Sequence, residues 1–157
     1  MDDIDLKAVK HLMTRGRATW SELAGVLELS APSAAERVKR LEERGVIKGY
    51  AALLDPEALG LALTAFVFLT IERPQHREGL LKKVAELPEI QECHHITGDY
   101  DYLLKIRCSG ARELEHTISE QLKGVPGVSK THTTVALSTI KETQVLALQA
   151  GSAPQTH

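Results

Sequence analysis

Aromatic side chains are scarce in this chain of 157 residues: one Trp, two Phe and three Tyr, or 4%. A core built from it must be mostly aliphatic. Cysteine is nearly absent as well. Cys93 and Cys108 show no CxxC spacing, which excludes a disulfide scaffold and a zinc ribbon. Both thiols are expected as half-buried strand residues in a reducing compartment. No apolar run approaches ~18 residues, so no membrane-spanning helix is expected. The start, Met-Asp-Asp-Ile-Asp, lacks a basic segment followed by an apolar one. No signal peptide is expected, and the location expected is cytoplasmic. A strong net charge is missing too, at −2.

That mean hides an asymmetry. Residues 1–50 hold nine Lys/Arg against eight Asp/Glu, and residues 51–157 hold ten against thirteen. Within Arg37–Lys48 there are five basic residues against Glu42 and Glu43. Local charge, not the mean, decides whether a surface attracts a polyanion. The apolar fraction, 43%, is ample for one ordinary domain or two small ones.

Ile4, Ala8, Val9, Leu12 and Met13 recur at helical spacing, predicting a helix over roughly 3–14. Asp2, Asp3 and Asp5 suit its positive end, and Gly16 stops it. Thr19-Trp20-Ser21-Glu22 has the form of a capping box before a short second helix. Leu29-Ser30 breaks that helix. Ser30 then caps a third, with Pro32 in its first turn and Gly45 closing it near Arg44. Val46–Tyr50 and Ala51–Leu54 read as two short strands, a β-wing. Residues 1–54 are thus expected as a winged helix-turn-helix and 55–61 as a hinge rich in turn residues.

Beyond the hinge the pattern changes. Leu61–Ile71, Ile90–Thr97, Tyr102–Cys108 and Val128–Ile140 read as strands. Leu80, Leu81, Val84 and Leu87 mark one helix between them, and Leu114, Ile118 and Leu122 another. Leu87-Pro88-Glu89-Ile90 and Val125-Pro126-Gly127-Val128 occupy equivalent places, so the chain repeats strand, helix, strand. Residues 62–148 are therefore expected as a ferredoxin-like βαββαβ domain, making the class α+β. One sheet face is left open and is expected to pair with another subunit. The small, polar tail 149–157 is expected to be disordered.

At about 100° per residue, Ala34, Val38 and Leu41 form the core stripe of the third helix. Ser33, Arg37, Arg40 and Arg44 form another stripe, expected to face solvent, with Glu36 on its margin and Lys39 off it. Glu42 and Glu43 lie away. A charged helix seen alone is most often just a solvated face. Here a capped helix and a break of about four residues precede it, and Lys48 follows it. Guanidinium groups on one stripe suit the major groove of double-stranded DNA. The helix starts at Thr19 and Ser30 can offer N–H groups to phosphates.

Several segments together resemble the Lrp/AsnC, or feast/famine, family of transcriptional regulators. They include Glu22-Leu23-Ala24, Leu29-Ser30, Arg37-Val38-Lys39-Arg40-Leu41-Glu42, Gly45-Val46-Ile47-Lys48-Gly49-Tyr50 and Leu59-Gly60. Thr97-Gly98-Asp99-Tyr100-Asp101-Tyr102-Leu103-Leu104, Pro126-Gly127-Val128 and Lys141 continue the match to about residue 148. The resemblance implies dimers formed through the sheets, assembly often to octamers, and an amino-acid effector held between dimers. Carried over, the effector candidates are Thr97, Gly98, Asp99, Tyr100 and Asp101, with Thr133 or Thr134 a weaker choice. His95, close by in sequence, is expected to shape that pocket. Asp99 or Asp101 suits an ammonium group and the N–H groups around Gly98 suit a carboxylate. The plain alternative is a tight hairpin.

His94 and His95 are neighbours in a strand and point to opposite faces, so no metal site is expected. No cofactor and no catalytic group is expected either. Two other readings exist. Siroheme decarboxylases share the architecture, but a substrate with many carboxylates needs a basic pocket, and the second half is acidic. A small-molecule-binding module with a vestigial DNA domain conflicts with the intact basic stripe.

Overall fold

The computed structural model describes residues 1–148, so the expected tail lies outside the described residues. The chain divides into two units. One is Met1–Leu53 with the segment that starts at Lys141; the other is Leu54–Ile140.

The first unit holds three helices, each with a defined start. In α1 (Asp3–Thr14), Asp2 accepts the Asp5 N–H at 2.8 Å and Asp5 accepts the Asp2 N–H at 3.2 Å. This reciprocal capping box answers donors that a helix start leaves unpaired. In α2 (Trp20–Leu27), Thr19 Oγ1 accepts the Glu22 N–H at 3.1 Å. The Glu22 carboxylate, expected to complete a box there, pairs instead with Arg15 at 3.1 Å. In α3 (Ala31–Glu43), Ser30 Oγ accepts the Ser33 N–H at 3.3 Å. The end of α3 is a Schellman turn: Gly45 N–H reaches Glu42 O and Val46 N–H reaches Leu41 O, both at 2.9 Å. Ala8, Ala24 and Ala34 let the helices approach closely around Leu23, Leu27, Val38 and Leu41.

The β-wing expected over residues 46–54 is corrected, because no strand forms there. Two strands meeting directly at Tyr50–Ala51 leave no residues between them for a tight turn. Tyr50 donates its phenol to Glu42 at 2.9 Å, drawing the segment back to α3.

The second unit is an antiparallel sheet of order β2-β3-β1-β4, the ferredoxin-like order. Its elements are β1 (Leu63–Ile71), α4 (Arg77–Glu86), β2 (Ile90–His95), β3 (Tyr102–Cys108), α5 (Ala111–His116) and β4 (Val128–Val135). A 3-10 turn, Pro74–His76, leads into α4, and α5 runs on as a π-helical stretch, Thr117–Leu122. The repeat read from sequence is visible in the turns. Ile90 N–H bonds Leu87 O at 3.0 Å, and Val128 N–H bonds Val125 O at 3.2 Å. β1 begins later than expected because Leu61 N–H closes the turn 55–61 on Pro56 O at 2.8 Å. β4 stops at Val135, short of the expected Ile140: Val135 opposes Ala65, and one further bond runs from Ala136 N–H to Thr64 O.

Alternation sorts the sheet into two faces. Ala65, Val67, Leu69, Leu104, Ile106 and Cys108 pack under Leu80, Leu114, Ile118 and Leu122 of the helices. By register the other face carries Phe66, Phe68, Leu103, Lys105, His132 and Thr134. That face is apolar in the middle and charged around it.

Candidate nucleic-acid interface and effector loop

The core stripe of α3 is as expected: Ala34, Val38 and Leu41 are buried. Ser33, Glu36, Lys39, Arg40 and Arg44 are exposed. Lys39 lies 3.8 Å from Glu43, one turn on. Arg40 and Arg44 form no ion pair with another described residue. Arg37 differs. Its Nη1 donates to Asp2 at 2.7 Å and to Asp5 at 2.8 Å, and only 21% of the side chain is exposed. These bonds hold the Arg37 guanidinium above its ordinary pKa. The Asp5 N–H and then Arg37 hold the Asp2 carboxyl below its ordinary value. Sequence periodicity put Arg37 on the stripe; only the depth of α1 shows that it meets carboxylates there.

Thr19 and Ser30 are exposed, and their hydroxyls are occupied as caps. Ser30 also lies 2.8 Å from the Ser33 hydroxyl. What those helix starts offer a phosphate is backbone N–H. Lys48 is exposed two residues beyond the Schellman turn.

The effector candidates divide. Thr97, Gly98 and Asp99 are exposed, and Gly98 has φ +116°, a turn conformation that a side chain would strain. Asp101 is half-buried. One of its carboxylate oxygens accepts the Ile71 N–H at 2.8 Å, and its own N–H and C=O bond Leu69 and Ile96. Asp101 therefore pins the loop, and Asp99 is the open carboxylate. His95 lies exposed, stacked on Tyr102 with ring centres 5.1 Å apart. His94 instead pairs with Glu92 at 3.1 Å, which, with Lys105, holds the Glu92 carboxyl below its ordinary value.

Tyr100 leads to a cluster that sequence reading missed. Its ring sits 5.5 Å from Phe68 and 6.2 Å from His132, with Lys130 Nζ 4.7 Å above it. Thr134 lies 3.4 Å from His132 on the same face, opposite Phe66. Thr133 opposes Val67 on the helix-covered face. Tyr100 and Thr134 are thus bridged through His132, and Thr133 is turned away. The signal was available: 130, 132 and 134 alternate onto one face of β4. No group of three His, Cys, Asp or Glu among the described residues can hold a metal ion. No described helix is long and apolar enough to cross a membrane.

Comparison with known proteins agrees with this two-part geometry. Residues 1–42 match the AsnC-type helix-turn-helix domain and residues 64–146 the Lrp/AsnC ligand binding domain. The chain is 37% identical to the HTH-type transcriptional regulator FL11 of Pyrococcus horikoshii, over 95% of this chain and 97% of that protein. It is 40% identical to the leucine-responsive regulatory protein of Haemophilus influenzae, over 95% and 91%. A transcriptional regulator of Neisseria meningitidis, solved in complex with L-Met, superimposes with a TM-score of 0.88 at 33% identity, over 93% of this chain and 96% of that one. These relatives are named as regulators, not enzymes. With the helix-turn-helix, the ferredoxin-like sheet and both domain matches in sequence order, the chain belongs to the Lrp/AsnC family of transcriptional regulators.

Proposed function

We propose that this regulator reads duplex DNA with the outward face of α3, and that an amino acid bound at loop 97–101 sets its affinity. Ser33, Glu36, Arg40 and Arg44 are the reading residues, and Thr19, Ser30 and Lys48 mark the flanking phosphate contacts. The observation that carries the reading is the pair of exposed arginines, Arg40 and Arg44, without carboxylate partners among the described residues, on a helix whose opposite side is packed. Such groups are available to base edges and phosphates.

On the effector side, Asp99 takes the ammonium and the N–H groups around Gly98 take the carboxylate. Thr97, Tyr100 and Thr134 line the approach, and His95 borders it. The exposed state of Asp99 and the structural use of Asp101 support this division. The Neisseria relative bound to L-Met makes an amino acid the chemical class to test. Dimers form through the open sheet face and assemble further, to octamers. Two DNA heads then read half-sites on one side of the duplex. An effector at a dimer–dimer junction acts by favouring one assembly over another. The setting is the cytoplasm, on the nucleoid.

The test is selection of duplexes from a random-sequence library by the purified protein, followed by titration with each of the twenty amino acids. A selected motif whose affinity falls at least tenfold in Arg40→Ala/Arg44→Ala, with folding intact, is the expected result. Equal affinity in that variant at physiological salt would overturn the assignment. No shift of melting temperature or affinity with any amino acid would overturn the effector part.

A further inference from the structure

We infer that Arg37 is a positioning residue that fastens α3 to the start of α1, and that it takes no part in contacting DNA; its consequence for DNA rests on the reading proposed above. Asp2 and Asp5 have four carboxylate oxygens between them, and all four are used. Asp2 Oδ1 takes the Asp5 N–H and Asp5 Oδ2 takes the Asp2 N–H, which caps α1. Asp2 Oδ2 and Asp5 Oδ1 both take Arg37 Nη1. Each carboxylate therefore serves the cap with one oxygen and α3 with the other. The cap of one helix and the middle of another become one network.

Burial separates this from an ordinary surface pair. The Arg37 and Asp5 side chains are 21% and 13% exposed, whereas Lys39 and Glu43 are 65% and 62% exposed. Moving the Arg37 guanidinium to a phosphate would leave two adjacent carboxylates unneutralised, one of them nearly buried. They would also stand against the DNA polyanion. Arg40 and Arg44 line the same cleft, of about 210 Å³, as Asp2, Asp5 and Arg37. The fastener thus fixes the wall on which the two open arginines stand. Its role is to set where they point.

Urea unfolding followed through Trp20, the one tryptophan of the chain and a reporter of the helical unit, decides the first part. Arg37→Gln and Asp5→Asn each lower the midpoint, and the double variant unfolds no earlier than the weaker single one. Additive midpoint shifts would overturn the fastener. DNA binding decides the second part. For a duplex selected by the wild-type protein, Arg40→Gln reduces the slope of log K against log salt by about 0.9. Arg37→Gln leaves that slope at its wild-type value and lowers the ratio of affinities for selected and mixed-sequence duplex. A slope reduced by about 0.9 in Arg37→Gln, with an unchanged midpoint, makes Arg37 a phosphate contact and overturns the proposal. If Arg37→Gln fails to fold, Arg37→Met, which is also uncharged and keeps the apolar stem, carries both measurements with the same expectations. If the wild-type protein selects no duplex, the DNA reading falls, and the unfolding arm still decides whether Arg37 fastens α1 to α3.

Discussion

The helical unit and the sheet unit are held together by different forces. The helical core is thin, and three of its seven buried residues are alanines. What fixes the helices besides packing is polar: the Asp2–Asp5 box, the Thr19 and Ser30 caps, the Arg37 network and the Tyr50–Glu42 bond. The sheet core is larger and mostly aliphatic, with Leu69, Leu80, Leu104, Ile106 and Leu122 fully enclosed beside Tyr102. The difference suits their tasks. A DNA-reading unit needs one helix face left bare, which limits the apolar area that three short helices can bury. A sheet roofed by two helices can hold a loop and an aromatic cluster on a stiff base.

The largest expected effect lies in the sheet unit. Leu104→Ala removes a fully buried side chain from the middle strand pair and should cost about 2–5 kcal/mol. Hydrogen exchange of the β1–β3 amides measures it, while Trp20 fluorescence follows the helical unit. An equal loss at Trp20 would break the comparison and make the two units one cooperative block. Next comes Gly127→Ala. Gly127 has φ +89°, and a Cβ there would overlap the ring and Cβ of His76. Strain and overpacking together predict a loss of roughly 1–3 kcal/mol, read by thermal unfolding. A variant as stable as wild type would show that the His76 contact gives way freely. Ser30→Ala is smaller, about 1 kcal/mol. It should lower the midpoint seen at Trp20 and leave β1–β3 exchange unchanged; protection lost in the sheet would again join the units.

What was legible in the sequence follows this division. Apolar periodicity located α1, β3 and the core stripe of α3 because burial at a fixed period writes itself into residue order. The doubled Pro-containing turns, Leu87–Ile90 and Val125–Val128, gave the βαββαβ repeat for the same reason. Interactions between residues distant in sequence were hidden. Arg37 looked free because the Asp2 and Asp5 that hold it stand more than thirty residues away. The bond from Ile71 N–H to the Asp101 carboxylate, thirty residues away in sequence, was hidden as well. The role of His132 was hidden in the same way, because its neighbours Phe68 and Tyr100 come from other parts of the sheet. The wing failed for a local reason. Val46–Leu54 has strand propensity but lacks the turn that a hairpin requires.

The smallest expected effect tests the segment that replaced the wing. Burial and the bond to Glu42 push the Tyr50 phenol up from 10.0 to about 12. A pKa raised by folding means that the protonated phenol favours the folded state. Its contribution is complete below pH 10 and fades as pH rises toward 12. The difference in phenolate absorbance between wild type and Tyr50→Phe should therefore show a step near pH 12. In Tyr50→Phe, the fall in stability between pH 10 and 12 should be shallower than in wild type. Because half of Tyr50 is exposed, the effect on total stability is small, as for other surface polar contacts. A difference step near pH 10 would mean that Tyr50 does not reach Glu42 in solution. The chain after α3 would then be held by the Schellman turn and Ile47 alone, and Arg37 would remain as the principal polar tie across the helical unit.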